Sequence, residues 1–365
     1  MAMLELQGLC KGFDHPVIDR LDLQVAAGEF FVVVGPSGIG KTTLLRCIAG
    51  LEHPDAGRVI IDGQDVTRVP PYRRRVAMTF ESYALYPHLS VFENIASPLR
   101  ARKLEQKTVR ERVEAVARLL RIEELLDRRP GEISGGQKQR TALGRTLVAE
   151  PEVFLLDEPI SHLDAKIRHE LRQQFHKLDE LRRTATLYVT HDYAEALSLG
   201  DRIGVMGDGT LVQIGSPREV FQSPRDIFVA RHLGQPTINE LDGSLAQRDG
   251  ELVIAVNGGA TALPVAPAHR ARLDHHNGRV LVGIRPQHVR LAGSEQPGAH
   301  VVDARVDLFE ALGATGVLVV ELDDLRLTCL TPVDREFEPG QPVRLTLDPE
   351  RFLYFCPERG TNLLL

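Results

Sequence analysis

A glycine-rich loop with one lysine and two threonines carries the clearest chemistry in this sequence. It consists of Gly35, Pro36, Ser37, Gly38, Ile39, Gly40, Lys41, Thr42 and Thr43. The glycines permit backbone angles that aim successive N–H groups at one anion, and the lysine adds a full positive charge. An apolar run precedes the loop and a helical pattern follows it, as phosphate binding by this motif requires. The loop predicts a nucleotide site, with the Thr42 hydroxyl available to Mg²⁺.

Two adjacent carboxylates form the second candidate group. Asp157 and Glu158 follow the continuous apolar run at residues 153–156, which is typical of a central parallel strand. Open α/β sheets bind their ligands at the carboxyl ends of such strands. Asp157 is therefore a candidate for holding Mg²⁺ or its waters, and Glu158 for polarising a water that attacks the γ-phosphate. The alternative is an ordinary solvated strand end.

A third group opens a predicted helix and consists of Ser134, Gly135, Gly136 and Gln137. Ser134 and Gln137 have the spacing of an N-terminal capping pair, which is the purely structural interpretation. A cap does not need two adjacent glycines, however, and glycine weakens a helix. Exposed N–H groups at this helix start are a second place where phosphate could bind.

The elements around these residues predict two domains. Strand and helix patterns alternate over residues 1–235, interrupted by a mainly helical insert at about residues 84–150 that includes helices at residues 105–128 and 134–149. A charged helix is predicted at residues 165–183. From residue 241 onward short β-like runs are separated by Gly, Pro and Asp, which predicts a small β-barrel or sandwich over residues 236–365.

Composition limits the function further. The 365 residues carry a formal net charge of −6, which argues against a broad nucleic-acid surface, so we expect no nucleic-acid partner. The longest apolar runs are far shorter than the roughly 18 residues that span a bilayer, and the first residues show no export signal. Any membrane role would therefore come through a partner. The four cysteines match no metal-ligand spacing and are expected to be free thiols.

Taken together, these motifs resemble the ATP-binding subunit of an ABC transporter. The likeness lies in the glycine loop, residues 133–137, 154–158 and 161–164, and His191. Four further segments, residues 83–88, 145–147, 283–286 and 348–351, narrow it to the maltose/sn-glycerol-3-phosphate-type importer ATPases of bacteria. The resemblance implies an α/β P-loop NTPase core of the ABC type with a helical subdomain, followed by an all-β, OB-like (TOBE-type) regulatory domain.

The resemblance also implies a composite site for ATP and Mg²⁺ in a head-to-tail homodimer or heterodimer. Residues 35–43 of one subunit would bind the phosphates, and Ser134–Gln137 of the other would cover the γ-phosphate. Phe13, which is otherwise a possible core residue, would stack on the adenine. Glu158 would be the catalytic base, His191 would orient it, Asp164 would communicate between the sites, and Thr42, Asp157 and the residue at position 81 would serve the metal.

The implied assembly has two transmembrane permease subunits and an extracytoplasmic solute-binding protein, with this chain peripheral at the cytoplasmic face of the inner membrane. Sugars, polyols or glycerol phosphate are the expected cargo; polyamine, sulfate or ferric-ion import is the nearest alternative. Two other classes of function stay open, a soluble ABC ATPase of DNA repair or translation and a chiefly regulatory binding module.

Glu81 departs from the family pattern, which has glutamine at this position. We expect Glu81 to alter the rate of ATP turnover or its coupling to transport, while ATP binding is retained.

Overall fold

A computed structural model describes residues 2–176, 178, 181, 183–248, 250–276, 278–293 and 300–365. The chain divides into two compact units, Met1–Arg218 and Glu219–Leu365. The described strands of the first unit are β1 (Ala2–Gly12), β2 (Pro16–Ala26), β3 (Phe30–Val34), β4 (Ala56–Ile61), β5 (Gln64–Asp65), β6 (Val76–Thr79), β7 (Val153–Asp157), β8 (Ala185–Thr190), β9 (Arg202–Gly207) and β10 (Thr210–Gly215).

The site-bearing element of the first unit is a six-stranded sheet in the order β10-β9-β3-β8-β7-β6. Strands β9, β3, β8, β7 and β6 run parallel, and β10 is an antiparallel edge strand. Every residue of β3, β7 and β8 is buried. Strands that are covered on both faces consist of nearly continuous apolar residues, and this pattern predicted them from the sequence. Their carboxyl ends lie along one edge of the sheet.

The two N-terminal strands are long and pair antiparallel to each other. β1 and β2 each have 11 residues and belong to an antiparallel sheet in the order β2-β1-β4-β5. Leu4 and Leu6 of β1 and Leu21 and Leu23 of β2 are buried at alternating positions. A register shift between Leu6 and Leu9 interrupts this period of two, and the buried side chains of both strands pack on the central core.

The described helices of the first unit are α1 (Lys41–Ala49), α2 (Val91–Ala101), α3 (Gln106–Leu120), α4 (Gly135–Leu147), α5 (Ala165–Phe175) and α6 (Tyr193–Leu199). Helices α2–α4 lie between β6 and β7 in the chain, where the helical insert was predicted. α2 was not predicted; its capping box at Ser90 and Glu93 is a signal that could have found it. The predicted helix at residues 165–183 is observed as α5, and part of its remainder lies outside the described residues.

The second unit is mainly β-structure, as predicted. The unit begins within helix α7 (Pro217–Gln222). Its further described elements are α8 (Ile227–His232), β11 (Asn239–Arg248), β12 (Glu251–Val256), β13 (Thr261–Pro264), α9 (Pro267–Leu273), β14 (Arg279–Ile284), β15 (Val289–Leu291), β16 (His300–Leu312), β17 (Thr315–Leu322), β18 (Leu325–Pro332), β19 (Pro342–Leu347) and β20 (Leu353–Phe355). Two five-stranded sheets, β13-β12-β11-β14-β20 and β15-β19-β16-β17-β18, share one apolar core.

The division at Arg218 comes earlier than the predicted boundary at residue 235. Helix α8 explains the difference, because Ala230 packs in one apolar cluster with Ile238, Leu353 and Phe355. Asn362 also donates a hydrogen bond from Nδ2 to the carbonyl of Pro224 at 2.8 Å. The helical composition of residues 219–233 thus resembles the first unit, while their packing belongs to the second. In the parts of the chain described here, no helix is long and apolar enough to span a membrane.

Candidate functional site

The glycine loop lies between β3 and α1, at the carboxyl edge of the sheet. Gly38 and Gly40 have φ values of 78° and 111°, in the left-handed region that favours glycine. A Cβ atom on Gly35 would lie 2.7 Å from the carbonyl oxygen of Met206, so this position has no room for a side chain. The glycines are therefore required by backbone geometry, and the loop leads directly into the N-terminus of α1.

Lys41 is folded back onto the loop. Its Nζ donates hydrogen bonds to the carbonyl oxygens of Gly35 and Pro36, both at 2.8 Å. Burial lowers the pKa of this ammonium, while Glu158, Asp157 and the carboxylate at position 81 act in the opposite direction. Charged phosphate oxygens accept stronger hydrogen bonds than neutral carbonyls do. Lys41 is thus placed to transfer its donors to a phosphate in the loop.

Thr42 and Asp157 meet across the sheet edge. The Thr42 hydroxyl donates to Asp157 Oδ1 at 3.2 Å, and the Asp157 backbone N–H donates to Thr79 Oγ1 at 2.8 Å. The Asp157 pKa is raised to about 6, chiefly by burial and also by the charges of Glu81 and Glu158, while the Thr42 hydrogen bond and the Lys41 charge act to lower it. This oxygen pair suits a hard cation such as Mg²⁺, which fills its remaining positions with phosphate oxygens and water. Thr79 positions the strand end and was not identified from the sequence.

We expect Asp157→Asn to stabilise the protein when no Mg²⁺ or nucleotide is added. A carboxyl whose folded-state pKa is raised stabilises the fold below its unfolded pKa near 4 and destabilises it once pH exceeds about 6. Removing the charge should raise the Tm of the first unit, Met1–Arg218, at pH 7.5 by several degrees, since each kcal/mol is worth about 2–4 °C in a unit of that size. Thermal denaturation between pH 4.5 and 8 measures this. A gain as large at pH 4.5 as at pH 7.5 would contradict the titration of Asp157.

Glu158 has a rigidly held backbone and a polar neighbour. Its φ is 43°, its N–H donates to the Val189 carbonyl at 3.1 Å, and its own carbonyl accepts from Gln139 Nε2 at 2.9 Å and Ser161 Oγ at 3.0 Å. The carboxylate Oε1 lies 2.8 Å from His191 Nδ1. The structure therefore brings both predicted catalytic residues together. Gln139 and Ser161 fix the backbone of Glu158. Ser161 lies in the segment 161–164 that carries the family likeness, but its contact with Glu158 was not predicted, and nothing local in the sequence marks Gln139.

The segment Ser134–Gln137 caps helix α4. Ser134 Oγ accepts from the Gln137 N–H at 3.3 Å, and Gln137 Oε1 accepts from the Ser134 N–H at 2.8 Å. The capping interpretation is thus confirmed, and the phosphate-binding interpretation of this segment stays a prediction. A Cβ on Gly135 would approach only the Tyr83 hydroxyl, at 4.0 Å, whereas one on Gly136 would lie 3.3 Å from Leu163. Small residues thus keep this helix start open on one side.

The loop after β6, which contains Glu81, contacts helix α4 and the loop before α5. Tyr83 and Ala84 have φ values of 63° and 44°, and Arg145 of α4 donates to both of their carbonyls, at 3.1 and 2.8 Å. The Tyr83 hydroxyl lies 3.3 Å from His162 Nδ1 in the loop before α5. One segment thus contacts both the helix that begins at Ser134 and the loop that leads to Asp164.

The structure places Phe13 at the surface and Asp164 at the start of helix α5. The Phe13 side chain is 61% exposed, so the core interpretation of this residue is wrong; Lys11 Nζ lies 5.1 Å from the ring centroid. A face of the ring is thus accessible for stacking on an aromatic base. Asp164 caps α5, where its Oδ1 accepts from the Ile167 N–H at 3.0 Å.

Two family models match parts of this chain. A family model described as ABC transporter matches residues 18–161, and one described as TOBE domain matches residues 282–355. The sn-glycerol-3-phosphate import ATP-binding protein UgpC of Salmonella typhimurium is 46% identical over 366 residues, covering 100% of both chains. UgpC of Burkholderia cenocepacia is 41% identical, covering 99% of both, and the uncharacterized ABC transporter ATP-binding protein YurJ of Bacillus subtilis is 39% identical, covering 98% of both.

The chain belongs to the ATP-binding proteins of ABC transporters. A solved dimeric structure of MJ0796, a bacterial ABC transporter cassette, aligns with a TM-score of 0.56 and 28% identity, covering 59% of this chain and 99% of that one. A dimeric post-hydrolysis state of the same cassette, bound to ADP and Pi, aligns with a TM-score of 0.55. The predicted family, the ABC-type core with a TOBE-type C-terminal domain, and the class of enzyme, an ATPase, are confirmed.

Proposed function

We propose that this chain hydrolyses ATP to energise a bacterial importer of sn-glycerol 3-phosphate or a related sugar or polyol. The carboxylate–imidazole pair of Glu158 and His191, beside the glycine loop, is the observation that carries the hydrolytic role. The cargo class rests on full-length similarity to proteins named as sn-glycerol-3-phosphate import ATP-binding proteins. The same similarity favours import over the soluble ABC ATPases of DNA repair or translation.

Each side chain has a defined part in the reaction. Lys41 and the loop N–H groups bind the β- and γ-phosphates, and Phe13 supports the adenine. Glu158 accepts a proton from water as the water oxygen bonds to the γ-phosphorus and the bond to the bridging oxygen breaks, which releases ADP. His191 holds the Glu158 carboxylate in place. Thr42, Glu81 and Asp157 would hold Mg²⁺, which neutralises charge on the phosphate oxygens when bound.

The second half of each site comes from another ATPase subunit in this proposal. Ser134, Gly135, Gly136 and Gln137 begin α4 with N–H groups at the positive end of a 13-residue helix, which suits a γ-phosphate. Closure of two subunits around ATP excludes water and completes the site only when nucleotide is bound. Asp164, which follows the loop contacted by Tyr83, connects the two sites.

We place the membrane partners on the segment at residues 81–91. Tyr86 is 47% exposed, while its backbone is held by the buried Asn94 of α2, through Tyr86 N–H to Oδ1 at 2.8 Å and Nδ2 to the Tyr86 carbonyl at 3.1 Å. An exposed segment fixed to the helical subdomain can transmit closure to two permease subunits at the cytoplasmic face of the inner membrane. An extracytoplasmic binding protein would deliver the solute.

Reconstitution tests the function directly. With a permease pair and binding protein in proteoliposomes, we expect the ATPase rate to rise several-fold and sn-glycerol 3-phosphate to accumulate inside. The cognate binding protein alone, without permease, is the control. An ATPase rate that no permease pair stimulates would contradict the transport role.

Replacing Glu81 with glutamine should change the metal dependence of hydrolysis. Glu81 adds a negative charge that raises the pKa values of Lys41 and Asp157. A carboxylate holds Mg²⁺ more tightly than an amide does, so Glu81→Gln should raise the Mg²⁺ concentration for half-maximal ATPase activity about three- to tenfold. Glu111→Gln, at an exposed position on α3, is the matched control. Identical Mg²⁺ titrations for Glu81→Gln and the unmodified protein would show that position 81 is neutral.

A further inference from the structure

Arg168 of α5 contacts two separate segments of the first unit. Its Nη2 donates to the carbonyl oxygen of Leu163 at 3.1 Å, in the loop that leads to Asp164. Its Nη1 donates to Asp192 Oδ2 at 3.4 Å, and Asp192 directly follows His191 in the chain. One guanidinium thus joins the loop before α5 to the residue next to His191, and the proposed reaction leaves this side chain without a role.

The place of Arg168 in the helix fixes it relative to Asp164. Asp164 Oδ1 accepts from the Ile167 N–H at 3.0 Å, and the Asp164 carbonyl accepts from the Arg168 N–H at 2.9 Å. Farther along α5, the side chains of Leu171 and Phe175 are buried. Because a hydrogen-bonded helical turn moves as one body, a displacement of Asp164 also displaces the guanidinium.

Asp192 gives the guanidinium a firm attachment on the other side. Its Oδ1 caps α6 by accepting from the Glu195 N–H at 3.2 Å, which leaves Oδ2 for Arg168. The Asp192 N–H donates to Thr190 Oγ1 at 2.9 Å, and that hydroxyl donates to the buried carboxyl group of Glu195 at 2.9 Å. His191 lies between these two fixed residues in the chain, so a displacement of Asp192 moves the backbone that carries the imidazole.

The contacts of Arg168 are incomplete. Its Nε is buried and has no hydrogen-bond partner among the residues that the structure describes. The contact between Nη1 and Asp192 is long, at 3.4 Å, whereas charge-assisted hydrogen bonds normally measure about 2.7–2.9 Å. A buried donor without a partner is unfavourable, so a small movement of α5 that improves these contacts is favoured. The pair is therefore able to tighten.

We propose that Arg168 is a positioning residue that transmits the position of the loop before α5 to His191, an inference that rests on the proposed function. In the proposed dimer, Asp164 responds to the other subunit's site, and Arg168 carries its displacement to Asp192. His191 in turn holds the Glu158 carboxylate, with its Nδ1 2.8 Å from Oε1. Because Arg168 acts through other residues, its removal should slow the chemical step and leave ATP affinity unchanged.

Steady-state ATP hydrolysis by the full chain separates this role from a purely structural one. We expect Arg168→Gln to lower kcat about tenfold or more while KM stays within about twofold. Asp192→Asn keeps an oxygen for the α6 cap and should cause a similar loss. The double variant should be no more than about twofold slower than either single variant, because both changes break the same contact. Lys166→Gln, at an exposed position of α5, is the control and should hydrolyse ATP normally.

Hydrogen–deuterium exchange tests the same link without ATP. Peptides that cover residues 159–164 and 191–195 should exchange faster in Arg168→Gln than in the unmodified protein, and Lys166→Gln should leave their exchange unchanged. Thermal denaturation checks that each variant folds, and Asp192→Asn decides should Arg168→Gln unfold. If the unmodified protein does not hydrolyse ATP, the proposed function is wrong, and the exchange rates still decide whether Arg168 joins the two segments.

Three results would overturn the role of Arg168. The first is a kcat for Arg168→Gln within about twofold of that of the unmodified protein. The second is a double variant whose loss equals the product of the two single losses, because the two side chains would then act independently. The third is unchanged hydrogen exchange in both segments.

Discussion

Glu158→Gln should leave ATP binding within about twofold of the unmodified protein and reduce hydrolysis by at least about 100-fold, the usual size of a general-base contribution. Glutamine has the same shape but cannot accept the proton of the attacking water. The backbone of Glu158 is held by Val189, Gln139 and Ser161, so the substituted side chain should keep its position. The loss will therefore report chemistry and not displacement of the loop.

Phosphate release measures turnover of this variant, and titration with a fluorescent ATP analogue measures binding. Glu150→Gln is the control, because Glu150 pairs with Arg102 and Arg112 on the helical subdomain, away from the sheet edge. The control should hydrolyse ATP at nearly the normal rate. Full activity in Glu158→Gln would refute its assignment as the base.

Lys41→Ala should weaken ATP binding by at least about 100-fold. The ammonium now donates to the Gly35 and Pro36 carbonyls and can turn to phosphate oxygens instead. Hydrogen bonds to charged groups contribute about 1.5–3 kcal/mol each, and every 1.4 kcal/mol is tenfold in affinity. Loss of two such bonds accounts for the expected effect.

Equilibrium binding of a fluorescent ATP analogue measures the loss in Lys41→Ala. Lys107→Ala, at an exposed position on α3, removes the same charge elsewhere and should bind ATP normally. Thermal denaturation establishes that the variant is folded, because the substitution also leaves two carbonyls without their donor. ATP affinity within threefold of normal in a folded Lys41→Ala protein would mean that the loop is not the phosphate site.

Local patterns were sufficient to predict the sheet edge and its chemistry. The buried strands β3 and β7 appear in the sequence as nearly unbroken apolar runs. The residues that follow them, Gly35 and Glu158, lie at the carboxyl ends of the strands, where open α/β sheets bind their ligands. Helix α4 was predicted from its capping residues and α3 from its periodicity, although α3 ends at Leu120 and not at residue 128, because Arg121 adopts a left-handed φ of 53°. These features depend on neighbours in the chain, which a sequence displays directly.

Features that depend on distant packing were not predictable. The hydrogen bonds from the Asp157 N–H to Thr79 Oγ1 and from Gln139 Nε2 to the Glu158 carbonyl join residues far apart in sequence. The early division at Arg218 has the same cause, because residues 219–233 have helical composition but pack with β20. Likewise, the contact between Tyr83 and His162 gives His162 a partner that its sequence position did not suggest.

In the proposed assembly, two copies of the chain each complete the other's ATP site, and disulfide trapping between them is the decisive experiment. The variant would carry Ser37→Cys and Ser134→Cys together with Glu158→Gln, which preserves bound ATP. Cys10 and Cys356, the two partly exposed thiols, would be replaced by serine. Each single-cysteine variant is a control.

We expect a covalent dimer on oxidation with ATP and Mg²⁺, far less of it with ADP, and none in either single-cysteine control. A disulfide that forms only within one chain, or a yield of dimer that does not depend on ATP, would contradict a site shared between subunits.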